Sequence, residues 1–338
     1  MTAHAQQPSP ALFFETVTAY QRSEAIKAAV ELDLFTAIGE GNRTVAQIAS
    51  RCKSSERGIR ILCDFVTMIG FLTKDQNGYG LTQDSAVFLD RRSPAYMGSI
   101  TEFLLSDPLI DEFRILTDSV RKGGTAVPED GTLAAENPIW VNFARAMAPM
   151  MRPVAGAIAQ LIDPDANRKI KVLDIAASHG LFGLAFATRN PQAEIVGVDW
   201  ANVLELSKEN AKLAGVSDRH STIPGSAFTV DFGTGYDVVL LTNFLHHFDV
   251  PTNETLLRKV HASLADGGRA VTLEFVPNDD RISPPGVAGF SLVMLAGTPA
   301  GDAYTFAEFD RMFKNSGFSK NDLHDIPFAI QQLIVSQK

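Results

Sequence analysis

Val172-Leu173-Asp174-Ile175-Ala176-Ala177-Ser178-His179-Gly180 carries an apolar strand into an acidic residue and then into a turn of very small residues. A helix opens directly after it, at Leu181-Phe182-Gly183-Leu184-Ala185. Such a unit aims backbone N–H groups and the positive end of a helix at whatever lies over the strand's carboxyl edge. It reads as a nucleotide-cofactor turn of an unusual kind. Where such turns usually carry three glycines, this one has Ala176, Ala177 and Ser178, and keeps only Gly180. A Gly-rich turn alone is a weak signal, so the residues that follow must identify the cofactor.

From Lys171 onward, short apolar strands alternate with helices, the signature of a parallel sheet with crossover helices. Strands fall near 171–176, 194–199, 237–242 and 269–276, and helices near 180–189, 202–213, 252–264 and 305–316. The end of the chain departs from a dinucleotide fold. Residues 322–326 and 329–336 read as two strands joined by Pro327-Phe328, a closing hairpin with an antiparallel last strand. A seven-stranded, Rossmann-like α/β sheet with this hairpin resembles the frame of class I S-adenosylmethionine (SAM) methyltransferases.

Glu194-Ile195-Val196-Gly197-Val198-Asp199 ends in an acid 25 positions after Asp174, close to the separation of about 20 expected of a ribose-binding acid. The competing reading makes Asp199 the N-cap of a helix starting near Asn202. Gly225-Ser226-Ala227-Phe228 falls where such enzymes hold the adenine ring, although Phe228 reads equally as core. A pyrophosphate requires close backbone approach, which the alanine methyls and the serine impede. SAM carries no phosphate. Its methionine ammonium suits Asp174, and its carboxylate suits the helix that opens after Ser178. His179 reads as a contact to the methionine end or as packing beneath the turn, with equal weight. Ala176, Gly180, Trp200, Thr242 and Asn243 complete the expected cofactor set.

Leu240-Leu241-Thr242-Asn243-Phe244-Leu245-His246-His247-Phe248-Asp249 places two histidines just past a strand's carboxyl edge, where ligands bind in open α/β sheets. Gly267-Gly268-Arg269-Ala270-Val271-Thr272-Leu273-Glu274 gives a turn, a strand and an acid at its end. His246 and Glu274 should therefore meet on one edge, over the cofactor.

With these motifs together, the chain resembles the plant caffeate-type small-molecule O-methyltransferases and their bacterial antibiotic-pathway relatives. The resemblance spans nearly the whole chain and includes Asn142-Phe143-Ala144-Arg145-Ala146-Met147. It implies that His246 is the catalytic base, that Glu274 orients it, and that the protein dimerises through its N-terminal domain. The implied reaction is a direct displacement on the sulfonium methyl of SAM. In it, general-base help contributes about 10²–10⁴-fold and in-line positioning about 7–11 kcal/mol. Several positions depart from the family pattern. Thr242 stands where a lysine often contacts the cofactor and Ser226 where an acid often meets it, while Ala303 takes the place of a second acid near the histidine. Phe143, Met147, Met150, His247, Phe290 and Met294 are expected to face a flat or largely apolar acceptor, with Met147 and Met150 also reading as core filling. The alternatives are C- or N-methylation on the same frame, or SAM binding without methyl transfer.

The first third reads differently. Residues 11–38 form a helical arm whose apolar positions exceed what one helix can bury alone, which points to a partner. Thr44 caps a helix to Arg51, and Ser54-Ser55 cap a second running to Ile69. Asp75-Gln76-Asn77-Gly78 then turns a hairpin, and Asn-Gly is a strong signal for one. The result is a winged helix. Its second helix, with Ile59, Ile61, Leu62, Phe65, Val66, Met68 and Ile69, reads as apolar nearly all round and therefore buried. A groove-reading helix needs an exposed polar face, so dimerisation is expected rather than nucleic-acid binding. Residues 94–165 read as mostly helical, interrupted by a loop at Pro128-Glu129-Asp130-Gly131.

Bulk properties agree. The 338 residues favour two or more domains. The expected division is an arm and winged helix over 1–100, a helical linker contributing to the substrate pocket over 101–165, and a SAM-binding catalytic domain over 166–338. A net charge of −9 argues against a broad basic footprint. Cys52 and Cys63 make no disulfide framework or metal cluster and suit a reducing, cytoplasmic setting. The first ten residues lack the charged and apolar regions of a signal peptide, and no window is apolar enough to span a membrane. Residues 286–295, apolar but short and glycine-broken, read as pocket lining or core.

Overall fold

The computed structural model describes residues 8–128, 131–133 and 136–338, without the side chain of Thr132. Residues 1–7, and Glu129-Asp130 of the expected loop, lie outside the described residues. The chain divides into two compact units, Met1–Ser106 and Asp107–Lys338.

In the first unit, the arm expected as one helix is three: α1 (Ala11–Val17), α2 (Tyr20–Glu31) and α3 (Leu34–Gly39). The second break falls at Asp33, which sits in the left-handed region at φ 55, a conformation that aspartate tolerates better than most residues. No residue of α1 is buried, and Leu12, Phe13, Phe14, Val17 and Tyr20 are exposed. Helices α4 (Val45–Arg51) and α5 (Glu56–Met68) follow, the first opened by a Thr44–Gln47 capping box and the second by Ser55. The wing is β1 (Leu72–Asp75) paired antiparallel with β2 (Gly78–Leu81). Its two-residue loop is Gln76-Asn77, so Gly78 lies in the strand rather than in the turn. Glycine is required there because Gly78 has φ 114 and a Cβ would drive into the Arg43 carbonyl. Short helices α6 (Gln83–Phe88) and α7 (Thr101–Leu104) close the unit. Helix α5 is not apolar all round. Ile59, Cys63 and Val66 are buried, whereas Ile61 is 43% and Met68 80% exposed. The correction is physical: arginines and aspartate interleave with the apolar residues and leave a single buried stripe. Both cysteines are free and buried, and burial pushes the Cys63 thiol up to about 12.

The second unit starts with α8 (Asp107–Arg114), α9 (Leu116–Lys122) and α10 (Ile139–Ile162). The α/β layers follow as β3 (Ile170–Ile175), α11 (Leu181–Arg189), β4 (Ala193–Asp199), α12 (Ala201–Leu213), β5 (His220–Pro224), β6 (Tyr236–Thr242), α13 (Val250–Ser263) and β7 (Leu264–Glu274). Then come α14 (Pro285–Ala288), α15 (Phe290–Gly297), α16 (Phe306–Asn315), β8 (Lys320–Asp325) and β9 (Gln332–Gln337). The seven strands lie in the order β5-β4-β3-β6-β7-β9-β8. Strands β3 to β7 are parallel, and β9 is antiparallel to both β7 and β8. The expected seven-stranded sheet with a C-terminal hairpin is therefore the fold.

Period-2 alternation in the central strands feeds two cores. Val172, Leu240 and Val271 pack with α10 and α11 on one face. Leu173, Val239 and Leu241 pack with α13 and α16 on the other. Parallel strands in register end together: Asp174 pairs with Gly197 and Leu240, and Thr242 pairs with Leu273. The turns after β3, β4, β6 and β7 consequently share one edge. No helix among the described residues is long and apolar enough to cross a membrane.

Gly78→Ala is expected to destabilise the first unit by about 2 kcal/mol or more, through left-handed strain and the clash with Arg43. Chemical denaturation followed by circular dichroism checks this. A transition unchanged within about 0.5 kcal/mol would mean the wing relaxes around the new methyl group.

Candidate active site

The turn after β3 keeps a glycine-like path without the glycines. Ala176 and Ser178 both lie in the left-handed region, at φ 55 and 52, which costs a non-glycine residue about 1–2 kcal/mol. Hydrogen bonds hold it there. The Ala177 N–H donates to the Val198 carbonyl at 3.1 Å, and the Ser178 N–H donates to Asp199 Oδ2 at 2.8 Å. Gly180 caps α11 at φ 74, and a Cβ there would meet Ser207.

Above this turn lies a cavity of about 300 Å³. Of the expected cofactor residues, Ala176, Ser178, His179, Asp199, Trp200, Gly225 to Phe228, Thr242 and Asn243 line it. Gly180 and Asp174 do not. Asp174 sits behind the turn, where Oδ2 accepts the Gly183 N–H at 2.9 Å and Oδ1 has no partner. Burial pushes its carboxyl up to about 7. Asp199 is not the N-cap of α12; that position is Trp200. Its carboxylate accepts the backbone N–H groups of Ser178 and Trp200, while burial raises it to about 6. His179 is buried and neutral, lowered to about 4 chiefly by desolvation. Its Nδ1 accepts the Leu181 N–H at 3.2 Å, so the ring proton sits on Nε2.

Ala177, Phe182, Val203 and Phe248 also line the cavity. The sequence offered little to single them out, because each is an ordinary apolar residue of a helix start or turn. On the acceptor side, Phe143 and His247 line the cavity together with Leu133, Trp140 and Met151. Met147 and Met150 instead pack against the core beside α11. Phe290 and Met294 do not line it either: they lie on α15, where Met294 is buried and the Phe290 ring stacks on Phe275 with centroids 3.8 Å apart.

The structure brings His246 and Glu274 together. Glu274, at the end of β7, has no exposure, and its Oε2 lies 2.5 Å from His246 Nδ1. Its Oε1 accepts the backbone N–H groups of Phe244, Leu245 and His246. A carboxylate only accepts, so Nδ1 donates and Nε2 keeps its lone pair. That Nε2 makes no hydrogen bond among the described residues. His247 is held the same way, its Nδ1 donating to the Phe244 carbonyl at 3.1 Å. The rings lie 4.2 Å apart, and desolvation, then the charge on His246, keeps His247 well below its ordinary value. Ala303, expected to take the place of a second acid, is buried, and neighbouring Asp302 pairs with Arg281 at 3.2 Å. No cluster of His, Cys, Asp or Glu among the described residues could hold a metal ion.

Comparison with known proteins adds to this geometry. Residues 14–91 match an O-methyltransferase dimerisation domain, and residues 173–270 a methyltransferase domain. A crystal structure from Nostoc punctiforme, provisionally described as an O-methyltransferase, shares 58% identity with a TM-score of 0.96, covering 98% of this chain and all of that one. The chain belongs to the SAM-dependent O-methyltransferases with an N-terminal dimerisation domain. A 3-hydroxy-5-methyl-1-naphthoate 3-O-methyltransferase from Streptomyces sahachiroi is 26% identical over 92% of this chain and 90% of its own. Human N-acetylserotonin methyltransferase in complex with SAM shares the fold, with 20% identity, a TM-score of 0.84, and coverage of 100% of this chain and 99% of that one.

The cavity fits SAM. Ser178 Oγ on its wall and Asp174 Oδ1 just behind it are buried without a partner, as a site built for a polar methionine end requires. In the expected ribose role, Asp199 would have to be ionised to accept hydrogen bonds from two hydroxyls. Binding would thus favour its carboxylate form, and protons compete as pH falls through about 6. Affinity for S-adenosylhomocysteine (SAH) is expected to be level above pH 7. It should weaken below pH 6 by up to about tenfold per unit. Asp199→Asn should weaken binding at pH 7.5 by at least about tenfold. Isothermal calorimetry across pH checks both, and an unchanged Asp199→Asn affinity would remove the ribose role.

Proposed function

We propose that this O-methyltransferase acts on a small hydroxylated, flat or largely apolar metabolite, with His246 as general base and Glu274 as the group that orients it. The 2.5 Å contact between them carries the reading. It fixes the proton on Nδ1, leaving Nε2 as the acceptor for the proton of a substrate hydroxyl. Glu274 then balances the imidazolium, and its bonds to three successive backbone N–H groups keep the ring from swinging away. When bound, SAM supplies the electrophilic sulfonium methyl. Asp199 would hold the ribose and Phe228 would flank the adenine. Ser178 and the Nε2–H of His179 would meet the methionine carboxylate. His247, neutral with a bare Nε2 on the cavity wall, offers the acceptor a second hydrogen-bond partner, and Trp140 and Phe143 bound its flat face. The naphthoate hydroxyl named for the Streptomyces sahachiroi relative is of the chemical type such a pocket suits.

We further propose a homodimer through the dimerisation domain, in which a second copy covers α1. The exposed run of Leu12, Phe13, Phe14, Val17 and Tyr20 supports it, since contiguous apolar patches mark interaction sites.

His246→Ala is expected to lower turnover at least tenfold, with SAH affinity changed less than about twofold. The assay uses the acceptor found by screening phenols with methyl-labelled SAM. An unaffected rate would remove the base and favour transfer to an atom already nucleophilic. Replacing both Phe13 and Phe14 by Glu should give a folded monomer in light scattering, and a persistent dimer would place the interface elsewhere.

A further inference from the structure

The segment that follows β5 puts Gly225, Ser226, Ala227 and Phe228 on the cavity wall, and it has no regular secondary structure to hold it. Its first tie is to β4, where the Gly225 N–H donates to the Asp199 carbonyl at 2.8 Å. Its second is internal. The Ser226 carbonyl accepts the Thr229 and Val230 N–H groups, each at 3.0 Å. Those bonds leave the Ala227 and Val230 carbonyls without a backbone partner among the described residues.

Lys259 of α13 takes up both. Its Nζ donates to the Ala227 carbonyl at 2.8 Å and to the Val230 carbonyl. The same ammonium stands 4.0 Å from the centroid of the buried Phe232 ring, and it forms no ion pair among the described residues. Desolvation lowers it from the ordinary lysine value, against a smaller opposing effect of Asp231. A lysine is ordinarily left in water, because its compact charge is strongly hydrated. Here that cost is offset by two main-chain carbonyls and one aromatic face. Helix α13 grips the side chains of the segment as well. The Phe228 ring stands edge-on to Phe248 with centroids 4.9 Å apart, and Phe248 directly precedes the Asp249 N-cap of α13.

We propose that Lys259 is a positioning residue for the cofactor, fixing from behind the wall on which the adenine ring lies. It does not itself line the cavity. Its ammonium directs the Ala227 and Val230 carbonyls away from the pocket and so sets where Phe228 meets the base. Without that partner the two carbonyls must find other donors, and the segment moves to reach them. The inference rests on the reading that Phe228 flanks the adenine.

A double-mutant cycle read by calorimetry with SAH tests this. Lys259→Met keeps the length and loses the charge, and should weaken SAH about tenfold. Phe228→Ala should weaken SAH on its own, and in that background Lys259→Met should cost less than about threefold, since the wall it sets is already lost. Two full, independent losses would mean that Lys259 serves the fold in general, and would overturn the proposal. In the labelled-SAM assay, Lys259→Met should raise KM for SAM about tenfold with kcat within about twofold. A fall in kcat at unchanged KM would overturn the proposal too. Should Lys259→Met fail to fold, Lys259→Gln gives the same reading, being neutral and too short to bridge both carbonyls. A weakened Phe228→Ala beside an unaffected Lys259→Met would refute the role of Lys259 alone. An unaffected Phe228→Ala would refute the adenine placement, and this proposal with it.

Discussion

The Glu274 carboxylate organises the sheet edge that carries the two histidines. It is fully buried, and a buried carboxylate is tolerable only when hydrogen bonds surround it. Here they come from one short segment, the Phe244, Leu245 and His246 N–H groups and the His246 ring. The chain leaving β6 must therefore wrap around the end of β7. Asn243 enters that wrap at φ 53, with its N–H on the Leu273 carbonyl. Buried Asn253 holds the far side, donating to the Leu245 and Phe248 carbonyls. The histidine pair thus takes its position from strand register and one carboxylate rather than from local helix propensity.

A comparable substitution of side-chain for backbone chemistry operates beneath the cofactor. Glycines would let the turn after β3 adopt left-handed angles without strain. In their absence, the turn is held at those angles by the Ala177 and Ser178 N–H groups, which donate to the Val198 carbonyl and the Asp199 carboxylate at the end of β4. Asp199 consequently has two tasks: it anchors the turn and it lines the cavity. Its substitution should loosen the turn as well as remove the proposed ribose acceptor, so its effect on affinity should exceed that of one lost hydrogen bond.

Much of this was legible in the sequence because local and global signals agreed. Apolar runs ending in Asp174, Asp199, Thr242 and Glu274 gave four strands, and their parallel register brought those ends to one edge. Strand β5 escaped notice because His220-Ser221-Thr222 lies at the sheet edge and lacks an apolar run. The three-helix break of the arm was hidden because the apolar spacing continues across Asp33. Helix α5 was misread because counting apolar residues ignores that Ile61 and Met68 project away from Ile59, Cys63 and Val66.

The two histidines also divide their labour through charge. Both carry the proton on Nδ1, one toward a carboxylate and the other toward a carbonyl. A carbonyl dipole stabilises an imidazolium far less than a full negative charge does, so in the proposed reaction the substrate proton goes to His246. Once it does, a second cation 4.2 Å away in a dry pocket is strongly disfavoured. His247 must then remain neutral, able to accept a hydrogen bond but not to retain a proton. The resemblance implies a second acid where Ala303 stands, and without it Glu274 alone pairs with the proposed base. One imidazolium against one buried carboxylate leaves the pair neutral, and a further carboxylate there would add a negative charge with no cation to balance it.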